Sequence, residues 1–375
     1  MKIVLLCGSL EPGRNGVGDY ARLLAGELVR MGLNVVLISM NDPFVKTPFF
    51  GKQYAEDVAI TVLRIPADES ELNRLKHVKD CINTFDPDWI SLQFVPFSFH
   101  PKGLPVGLGK QLSKIGKGRR WHIMFHELWV RVEPGVNWKR RFYTPLQKAL
   151  IKQLINTIKP SVVHTHLPSY FSDLQQIGCS VKPLPLFSNI IFKNSITVKK
   201  DPVSFCIGIF SQIDDRAEVL KFISQMSDEI SKEGIRLELL MIGGDPNRMN
   251  KFTLAVSSLK NFTGKISQTG FLEPEFISLE LQKCSLGITS VPRHLLGKSG
   301  SVAAFLSHGI PVAAPCFSST VGPSEIGFFS EELKSAILLS PKLCAYWEAK
   351  SNVSLVYNSL QLQSIANVYA LDLKI

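Results

Sequence analysis

What most constrains this chain is the way short apolar, β-branched runs alternate with stretches of helical spacing along its length. Ile3 to Cys7, Asn34 to Ser39, Ile60 to Ile65, Trp89 to Gln93, His122 to Phe125 and Val162 to His164 read as strands. Between the first two, Tyr20, Leu23, Leu24, Leu28 and Met31 recur at helical spacing, and Gly32 follows where a glycine closes a helix. Strand, helix, strand repeated in this way predicts parallel βαβ units, because a parallel neighbour is reached only through a crossover. The pattern restarts at Ser204 to Phe210 and runs on through Arg236 to Ile242, Ser267 to Gly270, Leu286 to Thr289 and Pro311 to Ala314. Helical stretches separate these runs around Glu218 to Ile230, Pro274 to Gln282 and Gly300 to Ser307. The expectation is an α/β chain of two Rossmann-like, doubly wound domains, 1–192 and 203–350, with a polar linker at 193–202. Residues 351–375 are expected to pack back toward the N-terminal domain, and 375 residues suffice for two cores.

Composition excludes several classes. An apolar fraction of 45% with 20% charged residues fits neither a disordered nor a fibrous chain. The longest apolar stretches, such as Lys2 to Leu6 and Ile235 to Gly243, fall far below the roughly 18–20 residues that span a bilayer. Met1 to Leu6 leads into Glu11, Gly13 and Arg14, so it reads as a buried first strand rather than a leader. Seven scattered cysteines without a C-x-x-C pair frame neither a zinc site nor a disulfide scaffold, and read as reduced core residues of a cytoplasmic protein. The net charge of +10 favours anionic partners.

Three groups of residues carry potential chemistry. Gly13, Gly16 and Gly18 fall between the first strand and helix, where bare backbone can approach a ligand or simply turn. Their spacing is not G-x-G-x-x-G, and no acidic residue closes the second strand near Ser39, so a dinucleotide fingerprint is absent. Gly297-Lys298-Ser299 ends like a Walker A motif, but Pro292 stands where its first glycine belongs. The small-residue turn Gly297 to Ser301 opens a helix, and can hold a phosphate through amides, Ser299 and Lys298. His126 and Glu127 follow one strand, and His164 and His166 end another. Val130 breaks H-E-x-x-H after His126 and Glu127, which stand where doubly wound folds place ligands, while His164 and His166, a pair without Cys or carboxylate partners, read as structural, so no metal is expected. From Lys110 to Lys159, twelve Lys/Arg face only Glu127 and Glu133. Within it Leu146, Leu150, Leu154 and Ile158 line one side of a helix whose basic side suits either an anionic membrane or solvent. Aromatic interleaving is sparse, so nucleic acid is not expected.

Together the pieces resemble glycosyltransferases of the GT-B fold, in particular the large retaining, nucleotide-sugar-dependent group 1, or family 4-like, enzymes. The likeness rests on Gly16-Val17-Gly18-Asp19-Tyr20-Ala21 leading to Leu28 and Gly32, on Thr269-Gly270-Phe271-Leu272 through Pro292, and on Ala304 to Val312, which resembles E-A-M-A-x-G-x-P-V. The resemblance implies two Rossmann-like domains facing across a cleft, the donor held by the C-terminal one. It places Gly16, Gly18, Gly243 and Gly244 near the donor, and His126 at the transferred sugar. Ser211 and Arg216 fall where the family has an Arg and a Lys, and Leu296 and Ala304 where many members carry two glutamates. Without those carboxylates, Lys298 is expected to stabilise the leaving diphosphate with Arg216, Ser299 and Gly300, while Asp19 or Glu127 serves the acceptor. The implied activity is transfer of a sugar from a nucleotide sugar to a glycan or lipid-linked acceptor in cell-surface polysaccharide synthesis, with retention and without cofactor or metal. It would act in the cytoplasm, peripherally on the membrane through residues 110–159. The alternative is a catalytically inactive GT-B-fold binding or scaffold protein, with an epimerase or phosphorylase as a further rival.

Overall fold

A computed structural model describes residues 1–130, 139–192, 203–211 and 214–374, with side chains from 143 onward in the helix beginning at Lys139. The chain divides into two units, Met1–Leu184 with Ile365–Ile375, and Pro185–Ser364. The expected linker at 193–202 lies outside the described residues.

The first unit runs β1 Lys2–Cys7, α1 Gly16–Arg30, β2 Asn34–Asp42, β3 Phe49–Ala55, β4 Val58–Pro66, α2 Glu71–Phe85 and β5 Trp89–Phe94. It continues with α3 Pro96–Phe99, α4 Leu108–Ile115, β6 Arg120–Phe125, α5 Lys139–Ile158, β7 Val162–Thr165, α6 Pro168–Gln176 and β8 Lys182–Pro183. The sheet order is β3-β4-β2-β1-β5-β6-β7-β8, parallel throughout except for the antiparallel β3–β4 hairpin. Beyond their first residues β1 and β6 are buried, and β5 is buried along its whole length, as a sheet covered on both faces requires. The β3–β4 hairpin escapes the sequence reading because β3 alternates on an edge and exposes Phe50 and Tyr54.

The second unit runs β9 Ser204–Phe210, α7 Ala217–Lys232, β10 Arg236–Ile242, α8 Pro246–Ser257, β11 Lys265–Gln268, α9 Pro274–Lys283 and β12 Leu286–Ile288. A 3₁₀ turn, Arg293–Lys298, leads to α10 Gly300–Ser307, β13 Val312–Ala313, α11 Glu331–Ser335, β14 Ile337–Leu338 and α12 Leu343–Val356. Its sheet is ordered β11-β10-β9-β12-β13-β14 and is parallel throughout, the doubly wound order. α13, Leu362–Leu373, carries the chain back, and from Ile365 its residues belong to the first unit. The expected boundaries therefore shift. The cut at 350/351 falls inside α12, and the second unit begins at Pro185 rather than after 192.

Three local expectations are corrected. Gly16 and Gly18 do not precede the helix but form its first turn, with Asn15 as the N-cap accepting from Gly18 N at 2.8 Å. The second strand does end on an acid, Asp42, three residues past Ser39. On α5 the buried stripe is Gln147, Ile151, Leu154 and Ile158, while Leu146 is exposed. The expected stripe therefore holds at Leu154, which packs against Gly109 of α4, and at Ile158, and shifts by one position in the two preceding turns. Among the described residues no helix is long and apolar enough to cross a membrane.

Candidate functional site

In doubly wound sheets ligands bind beyond the carboxyl ends of the strands, where the strand order reverses. That point lies between β1 and β5 in the first unit and between β9 and β12 in the second.

The first unit spends its switch point on itself. Asp42 is fully buried and pairs with Arg64 Nε at 2.8 Å, and Arg64 also bonds Glu11 at 2.6 Å. The same carboxylate accepts from Ser9 Oγ at 3.1 Å, Ser39 Oγ at 3.0 Å, Leu10 N at 3.1 Å and Phe44 N at 3.1 Å. Burial pushes its pKa up, but Arg64 and the two backbone N–H groups outweigh this and hold it below the ordinary value. The network therefore nails the β1–α1 loop to β2 and β4. Asp19 is also engaged, accepting from Gly13 N at 3.1 Å and pairing with Arg22. Its expected acceptor role thus competes with holding this loop. Gly18 is buried, and a Cβ there would be driven into the Ser9 carbonyl, so close packing of helix on loop accounts for this glycine. Gly16 is exposed with open space around its missing Cβ.

His126 does not present a free nitrogen to a sugar. It is buried, Nε2 lies 3.0 Å from Gln93 Oε1, and Nδ1 lies 3.0 Å from His166 Nε2. Tyr20 of α1 stands edge-on to its ring at 4.9 Å. Burial and the neighbouring His166 hold its pKa well below the ordinary imidazole value. Glu127 follows, half-buried, with its N–H on the Phe94 carbonyl at 3.5 Å. Among the described residues no three His, Cys, Asp or Glu side chains converge as a metal-binding set.

The second unit's carboxyl edge is built differently. Ser211, just past β9, has φ +69°, in the left-handed region that non-glycine residues rarely occupy, and its N–H bonds the Ile242 carbonyl at 3.0 Å. Past β10, Gly243 and Gly244 have φ +64° and +89°. A Cβ on Gly244 would stand 2.5 Å from the Ser211 carbonyl, so the two loops touch through backbone and require glycine. Beyond β12, Thr289 and Ser290 line a small recess with Ile209, Asp214, Phe252 and Ile288. The 3₁₀ turn places Lys298 beside Ser299, whose hydroxyl caps α10 by accepting from Val302 N at 3.4 Å, and exposed Gly300 starts that helix. Half-exposed Arg216 lies 3.9 Å from Asp214, and its charge acts on the Cys316 thiol past β13. Burial pushes that thiol up to about 11, Arg216 lowering it in part. Topology thus gathers Ser211, Arg216, Gly243, Gly244, Lys298, Ser299 and Gly300 at one edge. Leu296 and Ala304, by contrast, are buried in the apolar core with Val302 and Phe305.

The sequence reading missed one anchor at each unit's carboxyl edge. Arg293 is buried, donating to the Ala314 carbonyl at 2.8 Å and the Pro323 carbonyl at 2.6 Å, so it holds the loop after β13. Asp42 was missed for the same reason, since a charge inside an apolar segment is legible only when its partner is known.

No protein-family model matches the chain, and no curated protein matches it by sequence. Solved structures match its fold across the whole length. Anabaena HepE in complex with UDP and glucose has a TM-score of 0.61 at 15% identity, covering 100% of this chain and 99% of that one. The lipopolysaccharide outer core galactosyltransferase WaaB in its apo form has 0.54 at 12%, covering 100% and 99%. A putative UDP-N-acetylglucosamine 2-epimerase from Listeria monocytogenes has 0.55 at 10%, covering 99% and 95%. The class this architecture defines is the GT-B fold. Both transferases and an epimerase are built on that fold, so the reaction must be argued from the site.

Proposed function

We propose that this protein is a glycosyltransferase that binds a nucleotide-sugar donor at the carboxyl edge of its second unit. The observation that carries the reading is the contact of Ser211 and Gly244 through left-handed backbone at the switch-point edge that also holds Lys298 to Gly300. Backbone without side chains admits a diphosphate closely, and a lysine at a helix start meets its charge. The likeness to HepE, whose structure holds UDP and glucose, supports the same reading.

In this mechanism the bond from the sugar to the nucleoside diphosphate breaks, and the negative charge growing on the diphosphate is the quantity to be stabilised. Lys298, Arg216 and the amides opening α10 do this, and removing one such donor typically costs about 10²–10³-fold in rate. An acceptor hydroxyl attacks the sugar on the face the diphosphate leaves and gives its proton to the departing phosphate oxygen, giving retention. The acceptor is a glycan or lipid-linked glycan, a reading supported by the outer-core substrate in the name of WaaB. Glu127 stands on the acceptor side, and exposed Lys110, Lys114, Lys152 and Lys159 attract an anionic membrane surface.

One observation favours a second reading, binding without transfer. Leu296 and Ala304 lie in the core, so the ribose and sugar contacts of the glutamate-bearing relatives have no counterpart at those positions. Thermal unfolding against a panel of nucleoside diphosphates and nucleotide sugars, followed by product analysis with glycan acceptors, separates the two. A ligand that binds only the folded state raises the melting temperature. A rise with product formation is the expected result, a rise without turnover favours the binding protein, and no rise for folded protein overturns the donor site.

A further inference from the structure

At the amino end of the first unit's sheet, opposite the edge discussed so far, lies a cavity of about 420 Å³. That is within the roughly 300–1,000 Å³ of small-molecule clefts, yet its walls are mostly charged rather than apolar. One wall is Asp86-Pro87-Asp88, which leads into β5, and the other is the stretch Lys117 to Arg120, which leads into β6. Both strands are six residues long, so at about 3.3 Å per residue the cavity stands about 20 Å from the carboxyl edge.

The fold holds both walls in place. Asp86 closes α2 in the left-handed region, φ +51°, with its N–H on the Ile82 carbonyl at 2.9 Å. Lys2 of β1 ties the same segment, its N–H donating to Asp88 Oδ2 at 2.8 Å and its Nζ to the Phe85 carbonyl at 3.0 Å. Across the cavity, the Arg120 N–H donates to the Asp88 carbonyl at 3.3 Å and Arg119 Nη2 to Asp86 Oδ1 at 2.9 Å. Arg119 Nη1 donates to the Lys117 carbonyl at 3.3 Å.

Charge and unmet hydrogen bonds say what fits between the walls. Lys117, Arg119 and Arg120 face two carboxylates, and Asp86 is engaged by Arg119. Among the described residues neither Lys117 nor Arg120 pairs with a carboxylate. The Arg120 guanidinium lies instead over the Trp89 ring, 4.6 Å from its centre, and Lys2 adds a fourth cation beside Asp88. Two N–H groups here have no acceptor, Arg119 Nε and Trp89 Nε1, and both are buried. Trp89 is 3% exposed, and a buried donor left unmet is rare because it has lost water and gained nothing. Surplus positive charge with spare N–H groups matches an oxygen-rich anion. Phosphate is the anion whose oxygens a guanidinium takes two at a time, and the volume leaves room for the polar group that carries it.

We propose that this cavity is a second ligand site, one that takes the phosphate of a small phosphate ester at the amino edge of the first unit. The phosphate lies against Lys117, Arg119 and Arg120, and Arg119 turns from Asp86 to present Nε and Nη2 together. The Asp86 side chain is 77% exposed, so it returns to water at little cost. Asp88 is left for a hydroxyl of the ester's other half. Two kinds of molecule carry this chemistry, a soluble phosphorylated polyol or sugar and the headgroup of an anionic lipid. The proposed nucleotide-sugar site belongs to the other unit, so the two sites stand or fall separately.

The Trp89 indole N–H, one of five tryptophan signals, gives a local reading by proton–nitrogen NMR of the whole protein, assigned with Trp89→Phe. Titration with glycerol phosphate is expected to move this signal saturably, whereas sodium chloride at the same ionic strength leaves it in place. Lys117→Gln with Arg120→Gln, both exposed, is expected to weaken binding about tenfold or more. Lys76→Gln with Lys79→Gln removes the same charge from the exposed face of α2 and should leave binding unchanged. Vesicles of phosphatidylcholine with phosphatidic acid then separate the sources. Retention that glycerol phosphate competes away and Lys117→Gln with Arg120→Gln abolishes assigns the headgroup, and glycerol phosphate binding without such retention assigns the soluble ester. A Trp89 signal that glycerol phosphate does not move, or equal weakening by the α2 pair, would overturn the proposal. Should the cavity variant fail to fold, the wild-type titration against chloride decides alone.

Discussion

The two units present the same end of the same kind of sheet and use it in opposite ways. At the first unit's carboxyl edge Asp42, Asp19, His126 and His166 are bonded to one another's loops and strands, and the polar groups there satisfy the fold. At the second unit's edge, Ser211, Gly243 and Gly244 offer left-handed backbone, and Arg216 with the Lys298–Gly300 turn stands at the same end. The lesson is that a polar residue after a parallel strand is not by itself a ligand contact. Its hydrogen bonds must first be accounted for within the protein.

Substitutions can break this contrast from both sides. The largest effect is expected for Asp42→Ala, which strands buried Arg64 and frees the β1–α1 loop. Loss of about 3–5 kcal/mol is expected, read by denaturant unfolding. Asp42 also has a pH signature, since its folded pKa lies below the ordinary 3.8. Its stabilisation is present above that value and is lost as pH falls through the lower folded one, and Asp42→Ala should abolish that acid-side loss. Next, Lys298→Ala should lower transfer by about 10²–10³-fold with little change in melting temperature. Unchanged transfer would remove Lys298 from the mechanism. Gly18→Ala, in the first unit, should cost about 1–3 kcal/mol through its collision with Ser9, without changing nucleotide affinity. Gly16→Ala should be the smallest, within about 0.5 kcal/mol, because nothing lies near its missing Cβ. A Gly16→Ala variant as unstable as Gly18→Ala would contradict the packing account.

Much of the scaffold was legible in order along the chain. The runs Ile3 to Cys7 and Ser204 to Phe210 fall inside β1 and β9, because a strand buried on both faces must be continuously apolar. Strands that are short or half-exposed were not legible. Lys182–Pro183 and Ile337–Leu338 are strands only because a neighbour pairs with them, and Phe49–Ala55 alternates on an open edge. In the candidate site, the Gly297-to-Ser301 turn could be read from its small residues and the Gly243-Gly244 turn came from the family resemblance, whereas the hydrogen-bond partners of His126 could not be read. Its partners Gln93 and His166 are 33 and 40 residues away. A signal was present in Ser91-x-Gln93, His122-x-x-x-His126 and His164-x-His166, polar residues at strand spacing within buried runs.

The sequence by itself determined the two doubly wound units, the turns that start their helices and the absence of carboxylates at 296 and 304. Those properties follow from periodicity and residue identity, which are local. The tertiary structure alone decided that Asp42 serves Arg64, that Leu296 and Ala304 lie in the core, that α13 from Ile365 belongs to the first unit, and that Gln93 and His166 take the two ring nitrogens of His126. Each of these joins residues far apart in sequence. A buried polar group takes whichever partner the packed strands bring within about 3 Å, and the chain order does not record which that is.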